Sequence, residues 1–122
     1  MKAMTKAQIV AQLLSDLDTW SWTTALWSWE IDRAPDFRSK EACRIAYDRV
    51  SMRLNAVEYA ARNIVPNPEI TVTILSARER FRNGLKNGTV SSIFDDRHFG
   101  YKDRLAGELR ELDARITRYN AG

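Results

Sequence analysis

At 122 residues, with 44% hydrophobic and 29% charged side chains, the chain is long enough to bury a core and too apolar to belong among disordered chains. Five Gly and three Pro are too few for an all-β chain of many turns, and a single cysteine, Cys43, excludes an internal disulfide and fits a reducing compartment. The net charge of +3 is uneven: residues 1–32 hold two Lys against four Asp or Glu, residues 33–90 eleven Lys or Arg against six acids, and residues 91–122 six against six.

The basic side chains are mostly arginine, fourteen against five lysines. Arginine makes bidentate contacts to carboxylates and phosphates and stacks on aromatic rings. The middle third therefore suits nucleic acid, an acidic protein surface or ion pairs along helices. Lys2 and Lys6 precede apolar residues Ile9 to Leu14 in the manner of a signal peptide, but Asp16 and Asp18 interrupt and no small-residue cleavage site comes after them. No apolar run approaches the roughly 18 residues of a membrane span. The expectation is one helical domain over 1–122, in the cytoplasm.

In chain order, Thr5-Lys6-Ala7-Gln8 has the spacing of a capping box. Ile9, Val10, Leu13, Leu14, Leu17, Trp20, Trp27 and Ile31 then share one broad helical arc. Ser21, Thr24 and Ser28 fall in the same arc and thin it, and Asp18 or Thr19 could cap a fresh helix. Residues 5–32 thus read as one long helix or as two broken near residue 18. Within them, Trp-Ser-Trp occurs at 20–22 and again at 27–29. A seven-residue step nearly preserves the helix face and a two-residue step crosses it. Trp20 and Trp27 therefore face the core, while Trp22, Leu26 and Trp29 form a second face. That face needs cover from another helix, from a second copy of the chain or from a partner.

Pro35-Asp36 interrupts, and Asp36 or Ser39 can cap a new helix. This helix, about 38–64, carries an apolar seam of Cys43, Tyr47, Val50, Leu54, Val57, Ala61 and Ile64, in alternating steps of four and three. That rhythm belongs to antiparallel bundle packing or to a coiled coil. Pro66-Asn67-Pro68 ends it. Residues 70–74 are β-branched and alternating, which favours a strand. Asn67 and Pro68 favour a helix start, and Ile70, Ile74, Ala77 and Phe81 keep helical spacing, so the spacing predicts a helix over 68–83 stopped by Asn83-Gly84. Ser92 to Asp95 has capping-box spacing, which predicts a short helix near 92–99. Tyr101, Leu105, Leu109, Leu112, Ile116 and Tyr119 predict a last one over 101–119. The predicted fold is a compact all-α bundle of four or five helices with a long central helix at about 38–64.

Chemistry finds little to work with. Cys43 lies in the seam, where a thiol packs as a small hydrophobe, and His98 is the only available base. Asp95, Asp96 and His98 are the one cluster of metal-ligand types, short of the three or four spaced ligands and supporting shell of a working site. Asp16/Asp18 and Glu30/Asp32 are two apart, so neither pair shares a helix face, and both read as solubilising positions. The asparagine–glycine turns lack the Lys-Ser/Thr ending of a phosphate loop. No catalytic residue, metal site or cofactor is expected.

Two binding surfaces remain. One is Trp22, Leu26 and Trp29, since tryptophan concentrates in interface hot spots. The other is the basic group of Arg78, Arg80, Arg82 and Lys86, suited to an acidic protein or to nucleic acid, with Arg78, Arg82 and Lys86 along one face and Arg80 off it. The leading expectation is a small non-catalytic protein, of inhibitor or adaptor type, that binds a protein or nucleoprotein complex. Short helical chains of this kind are frequent among phage and plasmid accessory proteins. The alternative is a nucleic-acid-binding protein using residues 78–86, as a homodimer joined through the 38–64 helix. A small metal protein or enzyme around Asp95, Asp96 and His98 comes third.

Overall fold

The computed structural model describes residues 3–95 and the single position Arg110. Helix α1 spans Lys6–Arg33, α2 Phe37–Ala61 and α3 Asn67–Asn87, and no strand occurs among the described residues. The all-helical expectation holds, with three described helices in place of four or five. Of the two readings of residues 5–32, the single unbroken helix is the one that forms. One difference is that 92–95 forms only a turn, closed by the Asp95 N–H donating to the Ser92 carbonyl at 3.1 Å. The rest of the predicted 92–99 helix and, apart from Arg110, which is helical, the 101–119 helix lie outside the described residues.

Thr5 starts α1 as its spacing predicts: the Gln8 N–H donates to the Thr5 hydroxyl, and the Thr5 N–H donates to the Gln8 amide oxygen at 2.8 Å. The helix runs through the Trp-Ser-Trp stretch although the buried Ser21 hydroxyl finds no partner among the described residues. Thr23 and Thr24 donate their hydroxyls to the carbonyls of Thr19 and Trp20 at 2.7 and 2.6 Å. Asp18, a candidate cap by residue type, is drawn into an ion pair instead.

Asp36 caps α2, accepting from the Ser39 N–H at 2.8 Å. The helix ends at Ala61, three residues short of the prediction. The Val65 N–H donates to the Ala61 carbonyl at 2.8 Å and turns buried Val65 into the core. The 67–87 segment is helix despite its β-branched residues: Asn67 does not cap it, the N-cap being Pro66 with no side-chain bond, but Pro68 sits in its first turn and Ile70, Ala77 and Phe81 bury one side of it. Asn83-Gly84 does not stop α3. Gly84 is buried inside the helix under Val90, where an added Cβ would stand 2.6 Å from Val90 Cγ2. The stop comes one turn later at Gly88, in the left-handed region at φ 73°.

Helices α2 and α3 both pack on α1, and contacts between α2 and α3 are few. The central helix is therefore α1, not the 38–64 helix. The reason is visible in its sequence: α1 carries apolar and aromatic residues around most of its circumference, whereas α2 has one seam. Toward the α2–α3 turn, Leu17, Leu54, Ala61, Val65 and Ile70 form one core, flanked by Leu13, Trp20, Val57 and Ile74. At the other end Cys43 and Ile93 form a second, flanked by Trp27, Ile31 and Phe94.

Candidate interaction surface

Helix α1 presents its four tryptophans to different neighbours. Trp20 packs on the first core and Trp27 on the second, each half-buried. On the opposite face, Trp22 and Trp29 both meet Phe81 of α3 edge-on, with ring centroids 5.7 and 6.1 Å apart and planes at 85° and 71°. Phe81 is buried, and Trp22, Leu26 and Trp29 are half-buried. The third helix thus covers the second Trp face. Edge-to-face pairs of this kind contribute about 0.5–1.5 kcal/mol beyond the area they bury.

Arginines cover two of the outer ring faces. The Arg33 guanidinium lies 5.0 Å from the Trp29 ring centroid, and that of Arg53 lies 4.9 Å from Trp20. Both are cation–π contacts that also shield the indole from water.

The basic cluster divides. Arg80 donates bidentately to Asp18 at 2.9 and 2.8 Å, joining α3 to α1, and this partner holds its guanidinium more firmly in the charged form. It acts within the fold. Arg82 stands 3.6 Å from Glu79, both exposed. Arg78 and Lys86 are exposed. The stripe Val72, Leu75, Glu79, Arg82 and Lys86, in steps of three and four, is exposed along its whole length, with Arg78 beside it. Val72 and Leu75 are 61% and 56% exposed. A shallow depression lined by Leu14, Pro68, Glu69, Val72 and Thr73 adjoins them where α3 meets α1. Sequence reasoning misses Val72 and Leu75. Their three-residue spacing on the side away from Ile70, Ile74 and Phe81 is the signal that could have found them.

Glu30 is not a solubilising position. It is 1% exposed, and its Oε2 accepts from the Ile93 N–H at 2.8 Å, while Oε1 has no partner among the described residues. Burial results from residues 89–95, which fold back over α1 after the Gly88 turn. Asp32, two residues on, is exposed. Cys43 is fully buried. Asp95 is described, but Asp96 and His98 lie outside the described residues. Among the described residues no three His, Cys, Asp or Glu side chains gather where they could hold a metal ion. No described helix is long and apolar enough to cross a membrane.

Comparison with known protein families, curated proteins and solved structures finds no match to the chain. What fold and surface define together is an α-helical protein built on α1, with an exposed apolar and basic face on α3.

Proposed function

We propose that this chain acts without catalysis, by binding another macromolecule in the manner of an inhibitor or adaptor, and that the partner is a protein with an acidic rim around an apolar patch. The observation that carries it is the outer stripe of α3, where exposed Val72 and Leu75 are followed by Glu79 and then by Arg82 and Lys86, with Arg78 alongside. Exposed apolar residues with arginine close by match the composition of protein interfaces, in which arginine is enriched. A phosphate backbone has no use for Val72 and Leu75. The Trp22, Leu26 and Trp29 face supports α3 from beneath and reaches a partner only at its half-buried edges.

The test is a pull-down from host lysate, with and without nuclease, comparing Val72→Glu/Leu75→Glu with Arg78→Glu/Arg82→Glu. Protein binding predicts capture that survives nuclease and is lost with both double variants. Capture that survives both substitutions would refute this choice of surface.

Nucleic-acid binding is the second reading, favoured by the exposed Arg78, Arg82 and Lys86 alone. It predicts a gel shift whose salt dependence reports about 0.9 counterions per phosphate contacted, and which Val72→Glu/Leu75→Glu leaves in place. No shift at low salt would eliminate it.

A further inference from the structure

Helix α2 turns its seam inward: Cys43, Val50, Leu54 and Ala61 are buried against α1. That seam is not available to a second chain. Among the described residues nothing covers the opposite side of α2, which is not polar throughout. Met52 and Tyr59, seven residues apart on one face, are 72% and 74% exposed. Asn55 and Ala56 lie between them, Asp48 lies one turn before Met52, and Arg62 lies one turn after Tyr59, all exposed.

We propose that this face joins two copies of the chain through an antiparallel pairing of α2 with α2 about a two-fold axis between Asn55 and Ala56. In a two-fold interface, if one residue meets a second across the axis, the second meets the first in return. An axis at that point brings Met52 onto the partner copy's Tyr59, and Tyr59 onto its Met52. The same axis places Asp48 within reach of the partner copy's Arg62, and Arg62 within reach of its Asp48. One geometric choice therefore satisfies the apolar pair and the charged pair together, each twice. A parallel pairing does neither: it sets Asp48 against Asp48 and Arg62 against Arg62, which repel. The small Ala56 beside the axis lets the helices approach closely. Thioether against aromatic ring is a favourable contact. Arg62 also reaches Glu58 of its own helix at 3.4 Å, which leaves most of its five donors free for the second chain. The facing segment, residues 48–63, is about 24 Å long. That is the short end of specific interfaces, so the dimer forms in a concentration-dependent way and is not obligate.

The experiment is sedimentation of the full chain across micromolar concentrations, with charge-swapped variants and circular dichroism to verify folding. The expected result is a monomer–dimer equilibrium. Asp48→Arg alone and Arg62→Asp alone each weaken it about tenfold, and the two combined in one chain restore it. Variants with one added cysteine give the direction: under oxidation, Met52→Cys mixed with Tyr59→Cys cross-links faster than Met52→Cys alone. Cys43 is buried and does not compete. A monomer at every concentration overturns the proposal. So does a combined swap that fails to restore the dimer while keeping its helicity, and so does faster linkage of Met52→Cys to itself.

Discussion

Two buried or capping carboxyl groups have measurable consequences one residue at a time. The Asp36 carboxyl is held below its ordinary value of 3.8, first by the Ser39 backbone N–H and second by the Ser39 hydroxyl. A carboxyl depressed in the folded state stabilises fully above its unfolded value, and that contribution fades as pH falls through the folded value. Asp36→Ala should therefore lower the melting temperature at neutral pH. The gap to the unchanged protein should stay constant down to about pH 5 and close below the unfolded value, as thermal melts across pH would show. Glu30 is the other case. Removing its side chain strands the buried Ile93 N–H, at about 1–3 kcal/mol. Glu30→Ala should shift urea denaturation by that amount and speed hydrogen exchange at the Ile93 amide. An unchanged Ile93 amide would show that the 89–95 segment is held by other contacts.

Among the elements, what was legible in the sequence was what local chemistry decides. The Thr5–Gln8 capping box, the Asp36 cap and the α2 seam all read correctly because each depends on residues within a turn or two of one another. The strand-like run at 70–74 is helix because Pro68 and the helical spacing of Ile70, Ile74, Ala77 and Phe81 outweigh its β-branching. What was not legible depends on distant chain. Asp18 and Arg80 are 62 residues apart, and nothing in the spacing of either names the other. Glu30 looked like a surface acid because the segment that buries it lies 63 residues on. Asn83-Gly84 looked like a stop, yet Gly84 is small because Val90 crosses it. That last point is testable. Alanine in place of glycine inside a helix normally gains about 1 kcal/mol. At Gly84 the added methyl meets Val90 Cγ2 at 2.6 Å, so Gly84→Ala should destabilise, by about 1–3 kcal/mol as overpacking does. Combining it with Val90→Ala should recover part of the loss, and simple additivity in a double-mutant cycle would rule out that contact as the cause.

For the molecule as a whole, the arrangement about α1 decides how the parts depend on one another. Phe81 is the side chain through which α3 meets Trp22 and Trp29. Phe81→Ala should destabilise by about 3–5 kcal/mol and shift tryptophan emission to the red, reporting that the second Trp face has lost its cover. Emission that stays blue in a folded variant would mean that some other group covers those indoles. Helices α2 and α3 each pack mainly on α1 and meet one another at the shared core of Leu54, Ala61, Val65 and Ile70 beside their turn. The α1–α2 hairpin closes over a three-residue connection, whereas α3 reaches back across the whole of α2. Contacts near in sequence form at lower entropic cost than distant ones. The protein should therefore come apart in order under mild denaturant: amides of α3 exchange first, while those of α1 and α2 remain protected as one unit. Simultaneous exchange of all three helices would contradict that order. An ordered opening makes the aromatic face under α3 a surface with two populations, concealed when α3 is docked and presented when it lifts. A ligand that holds α3 down would then report itself by slowing exchange far from where it binds.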